Sequence, residues 1–296
     1  MNFDTSTQRT TWMLPRKEEG GEPDNKDRLL AVRFYAKIVL SLGERCKIRR
    51  EVILTAMAYV RRYFYQHDLG ENLLLRPTCE DVSLLSITAY FLAGKVEEEE
   101  LPNALDRRGV DLAQLIQAAK PNKPEEHREL EASAIKNEMQ LLAQLNFDLL
   151  CFHPLRPSLG FLEVWHRKSP LDEFEAIHSA LWPFVSGTYL VDDLMFRYPS
   201  SVLAMACLVS AMRKVKRGKK KTNLPLTPEF LATLTSLLQE VYLVAEGETQ
   251  VVDSMVETVV NIADQIELGL DKDLHAQASA AYQRWRGLSP STPEQE

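Results

Sequence analysis

Glycine is scarce in this chain, at 12 of 296 residues, and strict alternation of apolar and polar residues is nearly absent. Alternation with a period of two is the pattern of a half-buried β-strand, so its absence argues against a sheet. The apolar residues recur instead with the 3.6-residue spacing of a helix. Together these features predict an all-α protein.

Long hydrophobic runs are missing too. No stretch reaches the roughly 18 consecutive apolar residues that a membrane-spanning helix needs. The polar residues 1–9 do not resemble a secretion signal. We therefore expect no membrane association and a location in the cytosol or the nucleus.

Cysteine and histidine are few and poorly placed for disulfides or metal binding. The six histidines show no metal-ligand spacing within one helix, which argues against a zinc or iron site. No two cysteines form a C-x-x-C pair, and buried free thiols in a reducing compartment are the favoured interpretation. We expect no metal and no cofactor. The cysteines are Cys46, Cys79, Cys151 and Cys207.

The short motifs that carry catalysis or hold a phosphate are also absent. There is no G-x-G-x-x-G, no G-x-x-x-x-G-K-[S/T], no H-E-x-x-H and no G-x-S-x-G. The acidic cluster at 97–100 ends an apolar run, where charges that face solvent or a partner are commoner than a catalytic pair. The chain is therefore predicted not to be an enzyme.

The balance of charge excludes a general affinity for nucleic acid. The chain carries a net charge of −7, and phosphate binding needs a cationic surface. One dense basic run, residues 213–221, stands apart from this balance. It is consistent with a nuclear-import signal, with a patch for an acidic partner, or with a solvated loop between two helices.

Two apolar runs, residues 84–98 and 127–148, each carry a charge within the apolar stripe. Lys95 closes the stripe of the first run, and Glu138 lies inside that of the second. Lys and Glu are rarely buried without a partner. The two residues therefore pair with each other, meet polar groups of another protein, or extend to water at the helix ends. The stripes are Leu84, Thr88, Phe91 and Lys95, and Leu130, Ala134, Glu138, Leu141 and Leu145.

These runs resemble the third and fifth helices of a cyclin box. Residues 93–98, Ala-Gly-Lys-Val-Glu-Glu, match the cyclin pattern of two small residues, Lys, an apolar residue and two acids. Glu138 precedes Phe147 by nine residues, which is the cyclin spacing. The resemblance implies two tandem five-helix cyclin-box repeats with flanking N- and C-terminal helices.

The resemblance also implies a binding site for a cyclin-dependent kinase. In cyclins, the Lys and the Glu bind the regulatory helix of the kinase. Lys95 and Glu138 would do so here, beside the partner-facing acids Glu97 and Glu98. An apolar face at Leu84, Phe91 and Leu142 would take the kinase helix.

The expected domains come from the same resemblance. They are an N-terminal arm at 1–26, a first box at 27–150, a linker at 151–157, a second box at 158–268, and a C-terminal helix and tail at 269–296. Within the arm, Trp12 is expected to dock on the domain body or on the kinase, with the body favoured, since a large aromatic side chain rarely stays in water.

Further motifs resemble the transcription-associated cyclins, nearest to the cyclin H type and next to the cyclin C type. They are residues 6–12, 145–149, 153–157 and 160–162. The cyclin H type implies the CDK-activating kinase as partner, with a RING-finger assembly factor and the TFIIH core, in the nucleus. The cyclin C type implies the Mediator kinase. A DNA-binding cyclin fold of the TFIIB type is a third alternative, against which the acidic balance counts.

Several local features are predicted from the pattern alone. Asp111 should cap a short fourth helix. Arg61 and Arg62 should lie on the exposed side of an otherwise buried second helix. Pro183 should kink or break a helix. In the second half, helices are expected near 158–166, 171–196, 200–216, 228–245 and 250–268.

Overall fold

The chain folds into helices. The computed structural model describes residues 6, 8–13, 26–66, 81–98, 110–168, 170–191, 193–217, 228–242, 249–270 and 276–280, and these contain no strand. The helices are α1 (Lys26–Arg45), α2 (Arg50–Gln66), α3 (Asp81–Glu98), α4 (Leu112–Ala119), α5 (His127–Gln144), α6 (Leu155–Lys168), α7 (Phe174–Leu190), α8 (Leu194–Arg197), α9 (Ser200–Arg217), α10 (Pro228–Tyr242) and α11 (Thr249–Gly269). The predicted all-α class is confirmed.

The chain divides into two compact units. The first contains residues 1–151 and 272–296, and the second contains residues 152–271. Helices α1–α5 belong to the first unit, and α6–α11 belong to the second. The predicted bounds of the two boxes stay a prediction. The predictions for Cys79 and for the C-terminal tail fall outside the described residues.

Helix α2 is the centre of the first unit, where it packs against α1 and α3. Its apolar residues are almost fully buried, as the pattern predicted. The prediction that Arg61 and Arg62 lie on an exposed side is wrong, because they are only 2% and 1% exposed. Neighbouring elements enclose this part of α2, so Nη1 and Nη2 of Arg62 donate to backbone carbonyl groups instead of to water.

The ends of α4 and α5 show known capping chemistry. Asp111 caps α4, since its Oδ1 accepts from the backbone N–H groups of Ala113 at 3.0 Å and Gln114 at 3.3 Å. At the end of α5, Asn146 takes a left-handed φ of 52° and its N–H donates to the carbonyl of Ala143. Phe147 then donates to the carbonyl of Leu142, which completes a Schellman motif.

The second unit departs from the predicted helix bounds at two prolines. Helix α6 starts at Leu155, so Pro157 lies in its first turn, where no N–H is needed for a helical bond. The expected extended linker is therefore shorter than predicted. Pro183 lies inside α7 without breaking it. The single helix expected at 171–196 is instead two helices, α7 and α8.

The basic run is helical where it is described. Arg213 is 9% exposed, and its Nη1 contacts Asp264 Oδ1 at 2.6 Å and Glu267 Oε1 at 3.3 Å. The interpretation of the whole run as a solvated loop is therefore wrong for Arg213, which links α9 to α11. Lys214 and Lys216 are exposed, and residues 218–221 lie outside the described part.

The described cysteines carry free thiols. Cys46 and Cys207 are buried and Cys151 is partly buried. Burial raises the pKa of all three thiols, that of Cys151 to about 11. In the described ranges, no helix has the length and apolarity to cross a membrane, and no three His, Cys, Asp or Glu side chains are grouped for a metal ion.

Candidate functional site

Lys95 and Glu138 form an ion pair between α3 and α5. The Lys95 Nζ lies 2.7 Å from each carboxylate oxygen of Glu138, and the two side chains are 50% and 14% exposed. Of the three sequence interpretations, direct pairing is therefore confirmed. The ammonium also lies 4.0 Å from the centroid of the Phe91 ring, within the range of a cation–π contact.

The α5 stripe explains why Glu138 is held near this position. Leu130, Ala134, Leu141 and Leu145 are all buried on the face that Glu138 shares. The backbone of α5 therefore cannot rotate Glu138 into open solvent without exposing these four residues. The carboxylate stays at the edge of the core, where only an opposite charge compensates for its partial desolvation.

Gly94 allows Val110, in the segment that precedes α4, to pack closely against α3. A Cβ atom placed on Gly94 would lie 2.5 Å from the Cγ2 of Val110. Any side chain there would push residue 110 away from α3. The small residue before Lys95 in the cyclin-like pattern therefore has a packing role in this chain.

The predicted apolar face is partly exposed, and it has neighbours that the sequence interpretation missed. Leu84 and Phe91 on α3 and Leu142 on α5 are all half-buried. Three larger apolar exposures accompany Leu142: Ile135 at 51%, Met139 at 62% and Phe147 at 65%. Ile135, Met139 and Leu142 recur at i, i+4 and i+7, so they flank Glu138 on one side of α5.

A signal for these missed residues was present in the sequence. The spacing of Ile135, Met139 and Leu142 is a second helical stripe beside the buried one. One helix with two adjacent apolar stripes is too apolar for a single buried face. Exposure of the second stripe becomes visible only once the buried partners of α5 are known.

Glu97 is turned inward, away from the expected position. Its Oε1 accepts a hydrogen bond from the Thr55 hydroxyl at 2.5 Å, and its backbone carbonyl accepts from Arg49 Nη2 at 3.3 Å. Thr55 is fully buried on α2. Glu97 is partly buried and already bonded to α2, and its expected contact with a partner stays a prediction. The side chain of Glu98 lies outside the described residues.

Helix α2 carries a buried polar stripe, which we name the α2 polar stripe: Thr55, Tyr59 and Arg62. The Tyr59 hydroxyl donates to the Leu149 carbonyl at 2.9 Å. Arg62 Nη1 and Nη2 donate to the carbonyls of residues 148 and 150 at 2.9 and 2.8 Å. Burial, first of all, raises the pKa of the Tyr59 hydroxyl, so it remains a neutral donor.

Trp12 docks at the end of this stripe. Its side chain is 1% exposed, and its Nε1–H donates to Asp148 Oδ2 at 2.6 Å. The guanidinium of Arg62 lies 4.8 Å from the centroid of the Trp12 ring. The expected docking of Trp12 on the domain body is confirmed.

The site thus has the character of a protein-binding surface, with a charge pair beside exposed apolar side chains on two helices. The family described as "Cyclin, N-terminal domain" matches residues 23–150. Rat cyclin-C is 27% identical over 177 residues, which are 59% of this chain and 58% of the rat protein. Cyclin-C1-2 of Arabidopsis thaliana is 28% identical over 225 residues, 73% of this chain and 79% of that protein.

Two solved structures share the fold. One is the CAK complex of Chaetomium thermophilum bound to ATP-gamma-S. Its matching chain has a TM-score of 0.65 and 14% identity, and the match covers 96% of this chain and 87% of that chain. The other is the yeast TFIIK (Kin28/Ccl1/Tfb3) complex. Its matching chain has a TM-score of 0.57 and 19% identity, and the match covers 89% of this chain and 100% of that chain.

Residues 23–150 thus match the N-terminal domain of cyclins, and the chain is similar in sequence to cyclins of the C type. It spans 58% of the length of rat cyclin-C and 65% of that of Arabidopsis thaliana cyclin-C1-1.

Proposed function

We propose that this protein is a regulatory subunit that binds and activates a cyclin-dependent kinase through the face formed by α3 and α5. The observation that carries the proposal is the Lys95–Glu138 pair beside Phe91 and the exposed side chains of Ile135 and Met139. Exposed apolar area with charges at its edge is the composition that takes an amphipathic helix of a partner.

The exposure of Lys95 supports binding to a partner. An ion pair with one half-exposed member contributes only about 0–1 kcal/mol to folding, so stability alone gives little reason for it. The ammonium already uses both oxygens of Glu138 and still presents half of its side chain to solvent. A carbonyl group at the end of a partner helix would accept from it.

Binding would activate the kinase because it increases the population of the kinase's active conformation. A protein kinase is active when a Glu on its mobile regulatory helix pairs with the ATP-binding Lys. A rigid surface that binds the inward position of that helix more tightly favours the active state by the difference in affinity. The buried stripe of α5 supplies such rigidity, since its members are at most 8% exposed.

Two kinases are candidate partners. The CDK-activating kinase is favoured by the shared fold with the CAK and TFIIK chains, over 96% and 89% of this chain. With it we propose a RING-finger assembly factor, the TFIIH core and a nuclear location; the yeast complex contains a third protein, Tfb3. The Mediator kinase is favoured by the cyclin-C sequences of rat and Arabidopsis thaliana.

Purification of the tagged full chain from its own cells, followed by mass spectrometry, separates these candidates. Recovery of the CDK-activating kinase with a RING-finger protein supports the first, and recovery of Mediator subunits supports the second. Recovery of neither kinase under conditions that retain other partners contradicts the proposed function.

The site itself is tested by Lys95→Ala and Glu138→Ala. Truncation of one member of such a pair at an interface costs about 2–5 kcal/mol of binding, so we expect the affinity for the recovered kinase to fall at least about tenfold. Lys123→Ala is the matched control, because Lys123 is also 50% exposed and pairs with Glu126 at 2.6 Å. Equal activation by all variants, with helical circular dichroism retained, would reject the α3–α5 face.

A further inference from the structure

The α2 polar stripe contacts the chain at the C-terminal ends of both helices of the proposed kinase face. Thr55 binds Glu97, which lies two residues after Lys95 on α3. Tyr59 and Arg62 bind the carbonyls of residues 148–150, just beyond the end of α5. The stripe therefore fixes the C-terminal end of α3 and the exit of α5 relative to the same helix.

These contacts have geometry that resists small displacements. Arg62 uses two nitrogen atoms on carbonyl groups two residues apart, so one guanidinium plane defines the direction of the chain after α5. All three members of the stripe are at most 1% exposed. A buried donor that lost its carbonyl would incur its full desolvation cost, so the arrangement changes only as a whole.

The Trp12 segment closes this arrangement from outside the helices. Trp12 covers the Arg62 guanidinium and binds the Asp148 carboxylate, so it contacts both the stripe and the chain that the stripe holds. Ser6 and Gln8 of the same segment are also buried, at 2% and 7% exposure. The segment is therefore buried at three positions and not only at the indole.

Phe147 follows the end of α5 and directly precedes residues 148–150, whose carbonyl groups the α2 polar stripe binds. It is 65% exposed and holds a left-handed φ of 57°, which is unfavourable for a residue with a side chain. Its neighbour Asp148 is the residue that Trp12 binds. Docking of Trp12 thus fixes the backbone that presents this aromatic side chain.

We propose that the Trp12 segment is an intramolecular positioning element, which acts through Arg62 and Asp148 to order residues 145–150 and so raises the affinity of the α3–α5 face for its kinase. The kinase part of this inference rests on the proposed function, and the ordering part does not. Trp12 and Arg62 are positioning residues here, because neither is required to touch the kinase.

The first measurement needs no partner. Amide hydrogen exchange is compared between the full chain and Trp12→Ala, with Thr11→Ala as the control because Thr11 is an exposed member of the same segment. We expect at least about fivefold faster exchange at Phe147 and Asp148 in Trp12→Ala, since coupling between sites is typically about 5–150-fold. The amides of α4 should not change. Unchanged exchange at 147 and 148 would overturn the inference.

The second measurement is the affinity for the kinase recovered with the wild-type chain. Trp12→Ala should weaken binding at least about fivefold, while Thr11→Ala should bind as the wild type does. A double-mutant cycle with Arg62→Lys should show that the two losses do not add, because both act through residues 148–150. Faster exchange at 147 and 148 with wild-type affinity would overturn the link to the kinase.

Trp12→Phe provides the second variant, should Trp12→Ala fail to fold. Phenylalanine keeps a ring against Arg62 and removes only the hydrogen bond to Asp148. We expect an intermediate effect on both exchange and affinity, whereas wild-type values for both would overturn the inference. A wild-type chain that binds no kinase would contradict the proposed function and leave the exchange test decisive for the ordering role.

Discussion

Each of the two units contains an ion pair that joins two helices, and the two pairs differ in how deeply the cation is buried. Lys95–Glu138 joins α3 to α5 in the first unit, with the Lys side chain 50% exposed. Arg213 joins α9 to α11 in the second, with its side chain 10% exposed and two carboxylates around it. The exposed cation is accessible to a partner, and the buried one is already enclosed. Burial of the cation, and not the presence of a pair, distinguishes the proposed recognition contact from the structural one.

The largest effect on stability is expected in the second unit. Arg213→Ala removes a nine-tenths buried guanidinium from Asp264 and Glu267, and hydrogen bonds to charged groups contribute about 1.5–3 kcal/mol. Because Asp264 is 55% exposed and can be rehydrated, we expect a loss of about 2 kcal/mol in the free energy of unfolding. Urea unfolding measures it.

Lys214→Ala is the control for that change, since Lys214 is the exposed neighbour on the same helix. Its effect should stay below about 1 kcal/mol, the size of an exposed cation–π contact, because the Lys214 Nζ lies 5.6 Å from the centroid of the Phe184 ring. Equal losses of unfolding free energy for the two variants would contradict the comparison, because the buried Arg213 pair would then contribute no more to stability than an exposed lysine.

A charge exchange sharpens the comparison at the first pair. Lys95→Glu combined with Glu138→Lys keeps the ion pair but reverses its polarity. We expect a change in unfolding free energy of less than about 1 kcal/mol, because a half-exposed pair contributes no more than that. Affinity for the kinase should remain at least about tenfold below wild type, since the partner now meets the opposite charges.

Calorimetry and binding on the same preparation check this prediction. Recovery of wild-type affinity by the exchanged pair would show that the pair acts only by joining α3 to α5. In that case Lys95–Glu138 would be structural, like Arg213 and its carboxylates.

The prediction that perturbs neither ion pair concerns the thiol of Cys151, whose neighbour Leu150 accepts a hydrogen bond from Arg62. Burial raises the pKa of Cys151 to about 11, against about 8.5 for a free cysteine. At pH 8 the reactive thiolate should therefore be about two-hundredfold scarcer in the folded chain than after unfolding in urea. Because the shift is upward, alkylation should accelerate as the pH rises toward 11.

Iodoacetamide labelling followed by mass spectrometry measures the alkylation rate of each thiol separately. Cys207, which is fully buried in the second unit, serves as the reference and should react no faster than Cys151. Rapid labelling of Cys151 at pH 8 in the folded chain would contradict the burial of the segment after α5.

Much of this molecule was predictable from residue order. The period of the apolar residues predicted the helices, Asp111 predicted its cap, and the interrupted stripes marked Lys95 and Glu138, with mutual pairing as one of three interpretations. Each of these depends on contacts within one helix or on one surplus charge that needs an opposite one. Such local requirements can be recognised directly from the spacing of residues along the sequence.

Other features depended on which surfaces the tertiary structure brings together. Arg62 looks like a surface residue by its charge, and only the carbonyls after α5 explain its burial. Glu97 looks like part of an acidic surface until Thr55 is placed opposite it. Arg213 belongs by sequence to a basic run, yet α11 encloses it. A side chain's environment is set by neighbours distant along the chain, and one sequence specifies those neighbours only through the packed fold.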